Sequence, residues 1–419
     1  MAQTYKFGNG TWANKEGSTL AYNDEGNNYK PLPFSFERDS IATRVNKEGL
    51  IEVVGKDKPR IDYTDSAEGV LLLENSATNS LLQSNQFDTT WSATNSILSS
   101  GQIGVGGSLD AWKLESNSNS SETYIRQTTS LSGTSSLTIY AKKGNSNFLG
   151  IYIGSSGADI SAYFDLNNGV VGNTSNTIET KIKSVGNDWY RCTIVGSNIN
   201  QNVNFYVTDA NGNFLSNDGS YIYIQYSQLE SGSIPSSYIP TSGSSVQRAA
   251  ETANGSGNSE VFNDSEGVLF TETKGENDGT FNYISISDGG TTNYAGILYT
   301  DTDNQIIYRY YVGGSGVALA ANNINVTNFI KIAVKWKVND FAMWINGFEV
   351  GTASSGSLNP SGTFNELAFA RGGSNNTPFY GKTKEIGYYD TVLTDAELEY
   401  MTSYRSLSEL VTELNLNTL

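Results

Sequence analysis

Short runs in which apolar and polar residues alternate, bounded by glycine, asparagine and serine, recur through most of this 419-residue chain. The runs at 136–142, 148–153 and 162–166 are clear examples in its first half. A period of two places the apolar side chains on one face of a strand, which is typical of half-buried antiparallel sheets. With 43 Gly, 25 Tyr and only 3 Met, the composition also favours strands and turns over helices. The sequence therefore predicts an all-β fold.

The spacing of these runs predicts two consecutive antiparallel β-sandwich domains behind a short extended segment. The strands expected in that first segment are isolated, so they need to pack on the following domain or on copies of the same chain to bury a core. Between the two sandwiches, a polar stretch without a core residue reads as a linker. The expected division is an N-terminal attachment or oligomerisation segment at 1–85, a first sandwich at 86–248, a linker at 249–260, a second sandwich at 261–405 and a tail at 406–419.

Three local elements are predicted in the second half. Two alternating strands within 333–347 flank Asn339-Asp340, which indicates a hairpin. A short helix is expected from Thr394, with this residue as N-cap and Glu397 completing a capping box. The leucines at 407, 410, 414 and 416 suggest one or two amphipathic turns in the tail.

Two absences and the charge exclude several kinds of function. The chain has no histidine, which removes the commonest general base and the usual zinc ligand. We expect the single cysteine, Cys192, to be a buried apolar residue rather than a nucleophile. A net charge of −17 disfavours nucleic acid and anionic lipid as ligands. No apolar run could span a bilayer and the N-terminus lacks a secretory pattern, so we expect synthesis in a cytoplasm and no membrane insertion.

Catalysis is not expected either. No pair of carboxylates stands out as the acid and base of a glycosidase. The glycine-rich stretches do not precede helices, so they are read as loops rather than phosphate cradles. The sequence therefore favours a non-enzymatic protein without a cofactor, apart from the calcium considered below.

Four aromatic residues are candidates for stacking on sugar rings. Trp91 and Trp112 lie in turn-rich stretches, where they either are exposed for sugar binding or belong to the core. Tyr308 and Tyr310 share one face of a strand through its period of two, so they form either an aromatic strip or part of that face's packing.

A calcium site is the one metal site that the sequence suggests. Asp301, Asp303 and Asn304 place three oxygen ligands, of the kind that calcium binds, on one turn. The spacing lacks the later glycine and glutamate of a helix-loop-helix site. The same residues therefore also fit a solvated hairpin turn.

Specific motifs carry a resemblance to a known protein class. The stretches 36–52, 59–63 and 71–82 resemble the lead-in found in phage tail-fibre and other virion-surface proteins, where it precedes a carbohydrate-binding-like jelly roll. The jelly-roll marks that match are Gln127 and the stretches 141–144, 164–166, 189–192, 228–230, 236–241 and 248–251. The motifs at 344–347, 381–389 and 393–398 resemble those of a concanavalin-A-like or laminin-G-like sandwich.

The resemblance implies a structural protein of a bacteriophage particle, as a tail fibre, head fibre or capsid decoration. It would sit on the virion surface after synthesis in the bacterial host and adhere to host or environmental glycans. The N-terminal segment would dock on capsid or tail proteins and assemble the chain as a homotrimer. Two alternatives stay open, which are a secreted bacterial surface lectin and a polysaccharide-degrading enzyme with sandwich accessory domains.

Overall fold

A computed structural model describes the chain at residues 5–8, 12–15, 18–23, 28–155, 157–276, 281–302, 304–373, 377–406 and 409. Its regular structure there is antiparallel β-sheet with one short α-helix, which confirms the predicted all-β class. No helix in these ranges is both long and apolar enough to cross a membrane.

Short strands follow one another along the chain, and the helix comes after them. The strands of the first half are β1 Tyr5–Gly8, β2 Ala13–Lys15, β3 Ser18–Asn23, β4 Asn28–Glu37, β5 Ala42–Val45, β6 Ile51–Val54, β7 Arg60–Asp62, β8 Val70–Leu73, β9 Ala77–Asn79, β10 Ser92–Thr94, β11 Ser96–Gln102, β12 Ala111–Ser116, β13 Ser121–Thr128, β14 Thr134–Lys143, β15 Phe148–Ile153, β16 Ile160–Asp165, β17 Val170–Ser175, β18 Glu179–Ser184, β19 Trp189–Ser197 and β20 Asn202–Thr208. The remaining elements are β21 Leu215–Ser216, β22 Tyr221–Ser231, β23 Val246–Arg248, β24 Thr252–Asn254, β25 Glu266–Gly275, β26 Asn282–Ser287, β27 Tyr294–Tyr299, β28 Gln305–Val312, β29 Ser315–Asn322, β30 Ile330–Lys337, β31 Phe341–Ile345, β32 Phe348–Ala353, β33 Glu366–Ala368, β34 Gly381–Tyr389 and the helix α1 Asp395–Thr402.

The chain forms two compact units that interleave along the sequence. Unit 1 contains Met1–Asp39, Val54–Asn75 and Ala250–Leu419, and unit 2 contains Ser40–Val53 and Ser76–Ala249. This division differs from the predicted one, because the segment at 1–85 is shared between both units instead of preceding them.

Unit 2 is a sandwich of two antiparallel sheets. One sheet has the order β10-β13-β20-β15-β16-β17, with β21 beside β13, and the other has the order β11-β12-β22-β14-β19-β18. Their facing side chains form a single buried cluster that includes Leu114, Ile139, Phe164, Phe205 and Ile224. This apolar core holds the two sheets together, because burial of aliphatic and aromatic area is the main favourable contribution to folding.

Unit 1 is also a sandwich. Its larger sheet runs β24-β4-β3-β1-β34-β25-β30-β31-β32, with β2 beside β3 and β8 joining β7 to β34, and the smaller one runs β29-β28-β27-β26-β33. The core between these sheets includes Leu269, Ile297, Tyr308, Val334 and Trp336.

The lead-in strands are paired within the chain. The first strand, β1, lies between β34 and β3, β8 pairs with β34, and β9 pairs with β23. Hydrogen bonds to sequence-distant strands therefore supply the partners that the sequence left open. Of the two possibilities, packing on the rest of the chain and packing on copies of it, the first holds for the lead-in strands that the structure describes.

The predicted linker at 249–260 is also corrected. Strand β24 pairs with β4 through Thr252, Ala253 and Asn254, and Ala253 is fully buried. Glu251 is buried beside it. The first part of the stretch is therefore built into unit 1 through β24 and the buried charge of Glu251, while 258–260 are exposed as a linker would be.

Several local predictions are confirmed. The turn between β30 and β31 is centred on Val338 and Asn339, one position before the predicted pair, because Asn339 tolerates its positive φ of 61°. In α1 the side chain of Thr394 accepts a hydrogen bond from the Glu397 amide, and the Glu397 carboxylate accepts one in return. The thiol of Cys192 is buried, which raises its pKa well above the ordinary value. Of the tail, 407, 408 and 410–419, with all four leucines, lie outside the described residues.

A buried ionic cluster joins the three stretches of unit 1. The Glu251 carboxylate accepts hydrogen bonds from Arg38 Nη1 at 2.7 Å and Arg60 Nε at 2.8 Å, and Glu74 lies 2.9 Å from Arg60. The side chains of Arg38, Arg60 and Glu251 are completely buried. Burial alone would lower the pKa of Arg60, but the charges of Glu251 and Glu74 raise it above its ordinary value. All four groups therefore depend on one another for compensation of charge.

Removing the shared carboxylate should strongly destabilise unit 1. We expect Glu251→Gln to lower the free energy of unfolding by about 3–5 kcal/mol, because it leaves buried guanidinium charge uncompensated. Hydrogen exchange in urea, followed in peptides of β25 and β34, measures this loss for unit 1 alone. The exposed residue Glu260 provides the control substitution Glu260→Gln. Equal stability of the two variants would contradict the interpretation.

Candidate functional site

An outward-facing row of aromatic and polar residues lies on the seven-stranded sheet of unit 2. In β13, β15 and β20 the alternation directs Ile125, Ile151 and Phe205 into the core. Their neighbours therefore point to the opposite face. The outward residues are Tyr124 and Arg126 on β13, Tyr152 on β15, Tyr163 on β16, and Asn204 and Tyr206 on β20.

Strand register places these residues side by side. Tyr124 lies opposite Tyr206, and their ring centroids are 4.7 Å apart. Asn204 lies opposite Arg126 on one side and Tyr152 on the other. Directly opposed side chains on antiparallel strands are close enough to interact, so the face forms one continuous surface.

Phe214, from the loop before β21, completes this surface. Its ring lies 4.4 Å from that of Tyr206, 4.7 Å from that of Tyr163 and 6.1 Å from that of Tyr152. Gly150 makes room for it, since a Cβ atom there would lie 2.9 Å from the Phe214 ring. We call Tyr124, Arg126, Tyr152, Tyr163, Asn204, Tyr206 and Phe214 the tyrosine platform.

The only charge within the platform is held in place by neutral partners. Arg126 donates from Nε to Asn204 Oδ1 at 2.6 Å and from Nη2 to the Tyr124 hydroxyl at 3.1 Å. Its guanidinium carbon lies 4.9 Å from the centroid of the Tyr124 ring. Among the described residues, no carboxylate forms an ion pair with Arg126. The guanidinium is therefore oriented without being neutralised.

The hydroxyls of Tyr152, Tyr163 and Tyr206 in the platform stay protonated at neutral pH. Burial raises the pKa of Tyr163 to about 12 and that of Tyr206 further. The pKa of Tyr152 is raised by its hydrogen bond to Asp159, at 2.5 Å. A protonated hydroxyl both donates and accepts hydrogen bonds.

The platform is partly open to solvent. Tyr124, Arg126, Tyr152 and Phe214 are partly exposed, whereas Tyr163 and Tyr206 are buried beneath them. Such a surface offers ring faces for stacking with hydrogen-bonding groups beside them. The alternation of Tyr124 and Arg126 with Ile125 was a usable signal in the sequence, but it identified the outer face only once the core face was known.

The four aromatic residues predicted for sugar binding are buried. Trp91 and Trp112 belong to the core of unit 2, where their indole N–H groups donate to the carbonyls of Gln83 and Asn85. Tyr308 and Tyr310 are completely buried in unit 1. None of the four presents a ring face to a ligand, so the stacking interpretation is corrected and the alternative of core packing holds.

The calcium prediction is only partly covered by the described residues. Asp303 lies outside them, while Asp301 and Asn304 are exposed on the turn between β27 and β28. Within the described ranges, no group of three or more His, Cys, Asp or Glu side chains could hold a metal ion. The site stays a prediction.

Comparisons with known proteins give only distant similarities. No protein-family model and no curated protein sequence matches the chain. The carbohydrate-binding module CBM40 of the Ruminococcus gnavus IT-sialidase, bound to alpha2,3 sialyllactose, is 17% identical over 36% of this chain and 94% of its own, with a TM-score of 0.31. Domains LG4-5 of the mouse laminin alpha1 chain are 8% identical over 65% and 86%, with a TM-score of 0.25. At these values the similarities carry no conclusion about a ligand.

The geometry predicts that Phe214 stabilises unit 2. We expect Phe214→Ala to lower the free energy of unfolding of unit 2 by about 1–3 kcal/mol, because three aromatic contacts are lost from a partly exposed position. Hydrogen exchange in urea at β15 and β20 measures the change. Phe348, which is 73% exposed, provides the control Phe348→Ala. If the two substitutions change the free energy of unfolding of unit 2 equally, Phe214 does not pack as described.

Proposed function

We propose that this protein is a non-enzymatic adhesin that binds glycans through the tyrosine platform. The observation that carries the proposal is the partly exposed surface of Tyr124, Tyr152 and Phe214 beside the oriented guanidinium of Arg126. The C–H groups of a pyranose ring pack on an aromatic face, while neighbouring polar groups fix its hydroxyls. Catalysis is not part of the proposal, since the chain has no histidine to act as a general base.

The chemistry of the platform favours hydroxyl-rich ligands. Two of the Arg126 donor groups are already used by Asn204 and Tyr124, which leaves the others to donate to sugar hydroxyls. A shallow surface of this kind binds weakly for each copy. Display of several copies would raise the overall avidity without new contacts.

We further propose that the chain is displayed on a bacteriophage particle. The support is the resemblance of 36–52, 59–63 and 71–82 to the lead-in of virion-surface proteins. A homotrimer rests on that resemblance alone, because the lead-in strands have partners within the chain. A secreted surface lectin is the alternative, and it would use the same platform.

Glycan binding should depend on the platform rings. We expect Tyr152→Ala to weaken binding by about tenfold, because one stacking surface is removed. A glycan array with the full chain selects the ligand, and calorimetric titration compares the variants. Tyr400→Ala removes a tyrosine that is 69% exposed in unit 1 and is the control. Wild-type binding that survives Tyr152→Ala unchanged would exclude the platform, and no binding to any glycan would refute the adhesin.

Display on virions can be tested by immunogold electron microscopy of purified particles, with antibody raised against the recombinant chain. The proposal predicts label on the particles, since the protein would be one of their structural components. Label at the tail tip would indicate a receptor-binding fibre, and label over the head would indicate a head fibre or decoration. Unlabelled particles would refute the virion assignment and favour the secreted lectin.

A further inference from the structure

Two arginines that form no ion pair with a carboxylate of the described chain lie on the outer face of the smaller sheet of unit 1. Arg309 is in β28 and points away from the core, since its neighbours Tyr308 and Tyr310 are core residues. Arg371 follows β33 in a segment that packs on the same face, where Ser285 donates a hydrogen bond to the Ala370 carbonyl at 2.6 Å. In a chain of net charge −17, guanidinium groups that no carboxylate of the described ranges neutralises need a physical explanation.

Both guanidinium groups converge on the same tyrosines. Arg309 Nη1 donates to the Tyr283 hydroxyl at 2.6 Å, and its guanidinium carbon lies 5.6 Å from the Tyr311 ring centroid. The guanidinium carbon of Arg371 lies 5.7 Å from the Tyr283 ring and 5.3 Å from the Tyr294 ring. The two positive charges therefore share one aromatic environment.

Much of the hydrogen-bonding capacity of these groups has no partner among the residues that the structure describes. A guanidinium carries five N–H donors. Arg309 makes the bond to Tyr283, and Arg371 donates from Nη2 to the Thr291 carbonyl at 3.0 Å. The Nε atoms of both arginines are buried and have no hydrogen-bond partner among the described residues. Buried donors without acceptors are costly, so an acceptor at this position would be strongly favoured.

The hydroxyl of Tyr294 is a third unsatisfied group at the same place. Tyr294 is completely buried, and its hydroxyl makes no well-aligned hydrogen bond within the described residues. Arg309 lies near enough to act on its ionisation but is not aligned as a donor to it. Burial raises the pKa of Tyr294 to about 12 against the opposing influence of both arginines, so the hydroxyl is protonated and able to donate.

Acidic residues at the edge of this sheet do not neutralise the arginines within the described ranges. Glu366 lies opposite Ser287 at the edge of the sheet, and the Oε1 atom of its carboxyl group also has no partner among the described residues. Burial, with the charge of Asp288, raises the pKa of Glu366. No carboxylate of the described chain forms an ion pair with Arg309 or Arg371.

We propose that Arg309, Arg371 and Tyr294 form a binding site for an oxyanion, the carboxylate or sulfate group of an acidic saccharide. Its oxygens would accept from the Nη groups of the two partly exposed arginines, with the Tyr294 hydroxyl buried beneath them, and the partly exposed Tyr311 would pack against the attached ring. Charge-assisted bonds from a guanidinium are stronger than neutral ones and match a carboxylate or sulfate in geometry. Packing of the arginines on tyrosine rings alone leaves both Nε donors unsatisfied.

The test is a calorimetric titration of the full chain with glucuronate, with sulfate and, separately, with glucose. We expect binding of glucuronate or sulfate at millimolar concentration and none of glucose. Arg371→Gln should weaken the binding by about tenfold or more, because a charged pair of hydrogen bonds is lost. Arg371→Lys keeps the positive charge but loses the planar, two-pronged donor geometry of the guanidinium group. Its affinity for the anion should therefore lie between those of the wild-type chain and Arg371→Gln.

Arg405→Gln is the matched control, because Arg405 is an exposed arginine of unit 1 and the net charge changes equally. Thermal unfolding of each variant separates a loss of the site from a loss of folding. Preference for glucuronate over sulfate would assign a carboxylate, and the reverse a sulfate. The proposal would be overturned if the wild-type chain bound neither anion. It would also be overturned if Arg405→Gln weakened anion binding as much as Arg371→Gln. Tyr152→Ala should leave this binding unchanged, so its outcome is independent of the platform.

Discussion

Unit 1 depends on a single buried carboxylate that serves two arginines. Glu251 follows the first sandwich in sequence, while Arg38 and Arg60 come from stretches that precede it. Desolvation makes such a cluster expensive, and its net contribution to stability is small compared with the cost of breaking it. We infer that the cluster acts on specificity, because a chain fold that does not bring the three stretches together leaves a charge buried and unpaired. The charges therefore select the interleaved arrangement, and the apolar cores stabilise it.

A second constraint, the period of two along each strand, produces both candidate sites. Once one face of a sheet packs in the core, the alternate residues of each strand lie on the opposite face and can bind a ligand. Ile125 and Phe205 lie in the core of unit 2. Their strand neighbours Tyr124, Arg126 and Asn204 therefore lie on the outer face of the sheet. The same alternation in β28 places Arg309 on the outer face of the smaller sheet of unit 1. Each surface is then assembled across strands, so its residues are neighbours in space through register and not through sequence.

This explains how much the sequence could reveal. Local signals were sufficient for the helix at Thr394 and for the hairpin around Asn339, because capping and turn preferences act within a few residues. The indole groups of Trp91 and Trp112 were ambiguous, because a turn-rich neighbourhood does not determine whether a ring is covered. The tyrosine platform was missed for a related reason, since only strand register brings Phe214 over Gly150 and beside the tyrosines. The interleaving of the two units had no local signal at all.

The two surfaces differ in the hydrogen-bond partners of their arginines, and this difference determines the ligands that each would bind. Arg126 is oriented by a neutral amide and a hydroxyl, so it can serve uncharged sugars whose hydroxyls need direction more than charge. Arg309 and Arg371 form no ion pair with a carboxylate of the described chain, so an anion would compensate their charge better than a neutral ligand. The overall charge of −17 opposes an approaching polyanion. Screening limits that repulsion to about 8 Å at physiological salt, whereas partly buried contacts are screened much less. An acidic saccharide is therefore best bound through a short, desolvated contact, as the arginine pair would provide.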